Sequence, residues 1–356
     1  MAIAFHPSDW DRVRRRYDAW WEGRLEGPLC AITLGGRDPG RPEPPVAPLS
    51  QANCHRLDLP AESVIDALDY ALSCQEYLGD SFPFVNFDAF GPGVLAAFLG
   101  AELSNRTGSV WFHADPRPLQ ELHFAFDENN PWFGRIVELY RAGLRRWQGQ
   151  VLLGTPDLGG VLDVLATFRG TENLLLDLYD EPEQVLRLSG ELQSAWHACF
   201  NALQRQLQPL NPGYTDWSGI YASTPSYILQ CDFSYMIGPE MFAHFVLPTL
   251  REDCRLLSRA IYHLDGQGQL AHLPALLELP GLAAVQWVPG DGAPPPEAWP
   301  QVYQAIQAAG KGLYVLGGLD SVSQVIQALG STRGVFFRTQ AATRREAEDF
   351  LRRWGP

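Results

Sequence analysis

The second half of the chain repeats one grammar: a short β-branched or aromatic run, a loop, then a helical pattern, recurring every roughly 20 to 30 residues. The strand-like runs are RAIY (259–262), AAVQWV (283–288), GLYVLG (312–317) and GVFF (334–337). Asp320 is placed to cap SVSQVIQAL ahead of Gly330, and Thr343 with Glu346 has the spacing of a capping box opening the last helix. Strands that alternate with helices pair in parallel through right-handed crossovers. The pattern extends upstream. VLLG (151–154) and FPFVNFD (82–88) read as strands, and Asp180-Glu181-Pro182-Glu183 opens a helix. That helix carries Leu188, Leu192, Trp196, Cys199, Leu203 and Leu207 at spacings of three or four, one buried stripe.

The fold class expected is α/β, a single (β/α)8 TIM-type barrel. Residues 1–80 read as an N-terminal helical and loop elaboration, with a Pro- and Gly-rich arm from Leu34 to Leu49, and 81–356 as the barrel. At 356 residues the chain suits an α/β barrel as one unit, and no linker divides it. A doubly wound open sheet is the competing architecture, since periodicity alone does not count strands. The phosphate cradles common in open sheets, GxGxxG and GxxxxGK[ST], do not occur, which moves weight to the barrel.

Composition narrows the partners. A net charge of −14 argues against nucleic acid or an anionic membrane, both of which need clustered Lys and Arg. The one basic run, Arg14-Arg15-Arg16, reads as a solvated helix face. MAIAFHPSDW lacks the apolar run of a signal peptide and no stretch approaches a membrane span, so a cytoplasmic protein is expected. Six cysteines without a CxxC pair read as free thiols.

In a barrel, reactive side chains come from the C-terminal ends of strands. Those positions hold Thr155 and Asp157 after VLLG, His263 and Asp265 after RAIY, Gln286, Trp287 and Asp291 at and beyond AAVQWV, and Arg338 and Thr339 after GVFF. His263 and Asp265 stand two apart at a strand end, so imidazole and carboxylate point to one side. That suits two edges of a metal site or an acid/base pair. The bland alternative is a His–Asp contact that fixes the loop, with Gly266 and Gly268 supplying the turn. The segment Thr215 to Asp232, dense in Trp, Tyr, Ser and Asp, suits a concave site in which Trp217 and Tyr221 face a ligand. The same aromatics would equally pack a long loop. GxSxG and HExxH are absent.

Several segments together resemble the uroporphyrinogen decarboxylase superfamily, a (β/α)8 barrel group that includes corrinoid-linked methyltransferases. They are GPGVLAAFLGAEL (91–103), GTENLLLDLYDEPEQVLRL (170–188), CDFSYMIGPEMFAHFVLPTL (231–250) and YHLDG (262–266), followed by VQWVPGDG (285–292). The resemblance runs from about Phe84 onward. It departs from the decarboxylases in lacking their opening arginine motif. It departs from the zinc methyltransferases at their His-x-Cys pair: His263 matches the histidine, but Asp265 holds the next ligand position, and Arg338 and Thr339 stand where a later Cys belongs. Carboxylate in place of thiolate shifts such a site towards N/O coordination.

The resemblance implies a methyltransferase component that acts on a small-molecule methyl donor or on a corrinoid held by a partner protein. His263 and Asp265 would ligate zinc; Asp232, His263 and Arg338 would form the catalytic set; Trp217, Tyr221, Gln286 and Trp287 would line the substrate. The rivals are a decarboxylase of a small carboxylated substrate and a barrel that binds a small molecule without turnover.

Overall fold

The computed structural model describes residues 3–106 and 108–355. Its strands are β1 (Leu29–Leu34), β2 (Glu76–Gly79), β3 (Phe84–Val85), β4 (Glu102–Ser104), β5 (Trp111–His113), β6 (Leu152–Leu153), β7 (Ser226–Leu229), β8 (Arg259–Asp265), β9 (Leu282–Val288), β10 (Gly312–Val315) and β11 (Val335–Ala341). Seven of them form one hydrogen-bonded sheet in the order β2-β1-β11-β10-β9-β8-β7. Every neighbour pair in it is parallel except β1 with β2. Their apolar runs follow from burial on both faces, the usual state of a parallel sheet flanked by helices.

The strand at 151–154 lies elsewhere. Leu152 and Leu153 pair in parallel with Phe84 and Val85, apart from the seven-stranded sheet. A single bridge from Thr155 to Asp216, and a hydrogen bond from Ile228 N to Asp216 Oδ2 (2.7 Å), link this pair towards β7. The first 80 residues contribute β1 and β2 to the seven-stranded sheet. β1, inside the supposed elaboration, pairs along its whole length with β11 near the other end of the chain.

The helical expectations mostly describe the molecule. The helix Pro182–Leu207 begins with its proline in the first turn and buries Leu188, Leu192, Trp196, Cys199, Leu203 and Leu207. Thr343 Oγ1 accepts from Glu346 N (3.2 Å), and Glu346 Oε2 reaches back to accept from Ala342 N (2.9 Å), one residue ahead of the N-cap. Asp320 differs: it lies inside the first turn, and Gly318 is the N-cap. The helix α1 (Asp9–Trp21) packs Tyr17 and Trp20 on Phe336, and Trp20 borders a hollow beside Gly312 and Gly334. It therefore covers the N-terminal ends of β10 and β11. All six cysteines are free. Among the described residues, no helix is long and apolar enough to cross a membrane.

Candidate functional site

Parallel neighbours deliver their C-terminal ends to the same side, so the residues that end β7 and β8 meet. His263 and Asp265 end β8, and Asp232 begins the 3₁₀ segment Asp232–Met236 that follows β7. One ligand-capable atom from each of Asp232, His263 and Asp265 lies within 4.8 Å of the others, the only such group of three among the described residues. His263 Nε2 stands 3.9 Å from Asp265 Oδ2. Gly266 makes this approach possible: its φ is +82°, and a Cβ there would fall 2.9 Å from the Tyr235 ring. The Tyr235 ring thus packs on the turn after β8, and it belongs to the same 3₁₀ segment that carries Asp232. Tyr235, Asp265, Gly266 and Asp291 border a cavity of 270 Å³.

Sheet register fixes the imidazole. His263 pairs with Gln286, and Gln286 with Tyr314, so the three side chains share one rung and one face. His263 Nδ1 lies 2.5 Å from Gln286 Oε1. Gln286 also stands beside Tyr314, its rung partner on β10, whose hydroxyl donates to Ser218 O at 3.0 Å. Since that hydroxyl spends its proton on Ser218, the amide NH2 faces Tyr314 and the amide oxygen faces His263. The oxygen can only accept, so Nδ1 carries a proton and donates it to Gln286, while Nε2, 3.9 Å from Asp265 Oδ2, faces the carboxylates. The Trp217 ring meets the imidazole edge-on, centroids 5.0 Å apart.

Around this trio the charge is one-sided. Asp163 accepts from Asp232 N (3.1 Å) and Phe233 N (2.7 Å), anchoring the segment that carries Asp232. Asp157 accepts from Gly159 N (2.8 Å), Gly93 N (3.3 Å) and Gln230 Nε2 (3.2 Å). Burial pushes the Asp163 carboxyl up to about 7, with repulsion from Asp232 second. Burial likewise lifts Asp157 to about 6 against the pull of two backbone amides. Burial raises Asp232 too, opposed by His263 and reinforced by Asp265. Among the described residues, no lysine or arginine forms an ion pair with Asp157, Asp163, Asp232 or Asp265. A surplus of carboxylates beside an imidazole nitrogen is an environment a divalent cation would neutralise. The residues fit an N/O metal site, with Gln286 as the group that orients the histidine.

The sequence-nominated residues divide. Trp217 and Gln286 touch His263, and Asp232 joins the trio. Arg338 stands outside the trio: it lies over Phe84, against Gly219 and near Tyr314, the rung partner of Gln286. Tyr221 faces away from this group. It is buried against Trp10, Tyr17 and Phe82 with its hydroxyl donating to Pro212 O, because the chain turns at Gly219 and runs back towards α1. Trp287 also belongs elsewhere. It is one residue past Gln286, so its side chain leaves the opposite face of β9 and packs fully buried on Trp299. Trp287→Ala should cost about 3–5 kcal/mol of stability through the cavity it leaves, with metal content unchanged; chemical denaturation and elemental analysis of one preparation read both.

Asp163 and Asp88 escaped the sequence reading. Asp88 follows β3 at the end of FPFVNFD, where a strand-end carboxylate was available as a signal. Asp163 sits in a helix, Val161–Arg169, whose pattern reads as ordinary packing.

No family model matches this sequence, and no curated protein matches it. A solved structure, a methyltransferase from Methanosarcina mazei, aligns over 96% of this chain and 97% of its own, with a TM-score of 0.62 at 12% identity. At that identity the likeness establishes a shared fold and leaves the chemistry to be argued from the residues.

Proposed function

We propose that the chain is a cytoplasmic, metal-assisted methyltransferase of the uroporphyrinogen decarboxylase-like kind, moving a methyl group between a small molecule and a corrinoid held by a partner protein. The reading includes a closed (β/α)8 barrel, in which the β3–β6 pair and the Thr155–Asp216 bridge continue the seven-stranded sheet round to β7. It is carried by one observation: Asp232, His263 and Asp265 converge at strand C-termini, with His263 Nδ1 held by Gln286 and Nε2 turned to the carboxylates. The end-to-end likeness in fold to a methyltransferase supports it.

Zinc held by Asp232, His263 and Asp265 would supply Lewis acidity, making a thiol or hydroxyl nucleophilic near neutral pH. The rest is the work of the chain. Gln286 holds the imidazole tautomer, and Asp163 holds Asp232 in place. Trp217 shields the ring of His263 from water. Asp157 and Asp163, with proton affinities raised into the neutral range, suit the task of holding the proton that an ionising substrate gives up.

The test supplies the full chain with zinc, methylcobalamin and 2-mercaptoethanol and follows the corrinoid spectrum. The expected result is transfer of the methyl group to sulfur with release of reduced cobalamin, dependent on zinc and absent from His263→Ala. A zinc-loaded protein that leaves methylcobalamin untouched but releases carbon dioxide from a carboxylated substrate would replace this reading with the decarboxylase.

A further inference from the structure

Arginines that leave the solvent in this chain generally find carboxylates. Arg16 pairs with the buried Asp80, Arg135 with Glu138 (2.6 Å), Arg169 with Asp177 (2.5 Å) and Arg187 with Glu191 (2.5 Å). Arg338 does not. Among the described residues, no carboxylate pairs with it and no carbonyl or hydroxyl accepts a hydrogen bond from it. Its guanidinium lies over the Phe84 ring, Cζ 3.7 Å from the centroid. Backbone presses on one edge: a Cβ at Gly219, where φ is +71°, would fall 2.0 Å from Nη1.

Three phenols lie close enough to act on it electrostatically, and each has spent its proton. Tyr17 donates to Asp80 O (3.3 Å), Tyr77 to Leu72 O (3.1 Å) and Tyr314 to Ser218 O (3.0 Å). None brings a full negative charge. Protein surrounds Arg338 closely enough that burial lowers its pKa, yet the side chain is only partly buried by surface area. Solvent therefore still reaches a cation that the protein has largely desolvated. Removing a cation from water without a counter-charge is costly, and an incoming anion relieves that cost. Its surroundings connect to the metal-ligand trio: Tyr314 neighbours Gln286 and donates to Ser218 O, and Trp217, next along the chain, meets His263.

We propose that Arg338 is the anion-binding subsite of this protein, gripping the carboxylate of a small monocarboxylate whose other end extends towards His263. A single guanidinium balances a single negative charge, and the planar fork matches a carboxylate. The aromatic lining and the chain's acidic surroundings disfavour a phosphate dianion. Only what happens at the far end of that molecule rests on the methyltransferase reading; the subsite itself does not.

The experiment measures thermal unfolding and calorimetric binding of the full-length protein with benzoate, inorganic phosphate and chloride at equal ionic strength. Zinc content is determined in parallel. Benzoate should stabilise the parent saturably at millimolar concentrations, and Arg338→Met should weaken it at least about tenfold, the loss expected for a charge-assisted pair. Without ligand, Arg338→Met should unfold above the parent, because an unpaired buried charge has gone. Arg338→Lys keeps the charge without the fork and should bind benzoate between the two, which preserves the test if the methionine variant fails to fold. Equal stabilisation of parent and Arg338→Met by benzoate, no stabilisation of the parent, or tighter binding of phosphate would each overturn the proposal. Loss of zinc with benzoate binding intact would remove the metal reading and leave this one standing.

Discussion

Gln286→Leu lowers the affinity for zinc by about 10–100-fold, the usual consequence of removing the partner that orients a ligating histidine. The leucine fills a similar volume, so the sheet stays paired, but His263 Nδ1 loses the acceptor 2.5 Å away. The ring can then turn, or shift its proton to Nε2 and withdraw the ligating lone pair. Gln286→Glu restores an acceptor at the same place and should recover most of the affinity, which a merely structural role for Gln286 would not predict. His263→Ala removes the only nitrogen ligand and falls below both. Competition against a chromophoric chelator measures all three. Parent-like affinity in the leucine variant would mean that His263 does not bind metal through Nε2.

Asp88→Asn stabilises the metal-free protein at pH 8 and does little at pH 4. Burial, helped by repulsion from Asp157 and Asp216, pushes the Asp88 carboxyl up to about 7, despite the hydrogen bond from Asn86 Nδ2 at 2.6 Å. Its Oδ1 is buried without a partner. The folded state therefore keeps this proton to about pH 7, whereas the unfolded chain releases it near 4. The stability this contributes is whole below about pH 4 and is lost as pH rises through about 7. Asparagine has no proton to lose, so a gap of order 2–4 kcal/mol, several degrees in Tm, should open over that window. The other raised carboxyls are common to both proteins and cancel. Equal differences in Tm at pH 4 and pH 8 would show that Asp88 ionises normally.

Much of the fold could be read because parallel strands buried on both faces leave compact apolar runs with helix caps between them. The runs at 259–262, 283–288, 312–317 and 334–337 are neighbours in one sheet for that reason. β1 was hidden because its partner, β11, lies some 300 residues away and the turn-rich arm after Leu34 masks it. His263 and Asp265 were visible together since one strand end carries both. The neighbourhood of Asp232 depends on Tyr235 lying across Gly266, a tertiary contact with no local signature. In AAVQWV, burial on both faces erases the alternation that would separate Gln286 from Trp287, so register alone decides which of them reaches the histidine. Trp217 and Tyr221 part company at Gly219 for a similar reason: five residues of aromatic-rich sequence do not reveal a reversal.

The most direct test of the account is the metal content of the parent protein. Protein purified without chelator, loaded with zinc and desalted should retain about one equivalent per chain, and His263→Ala and Asp265→Ala should each retain less than about a tenth. Retention below about a tenth in the parent itself, with the protein folded, would contradict the metal site and leave Asp232, His263 and Asp265 as a metal-free cluster.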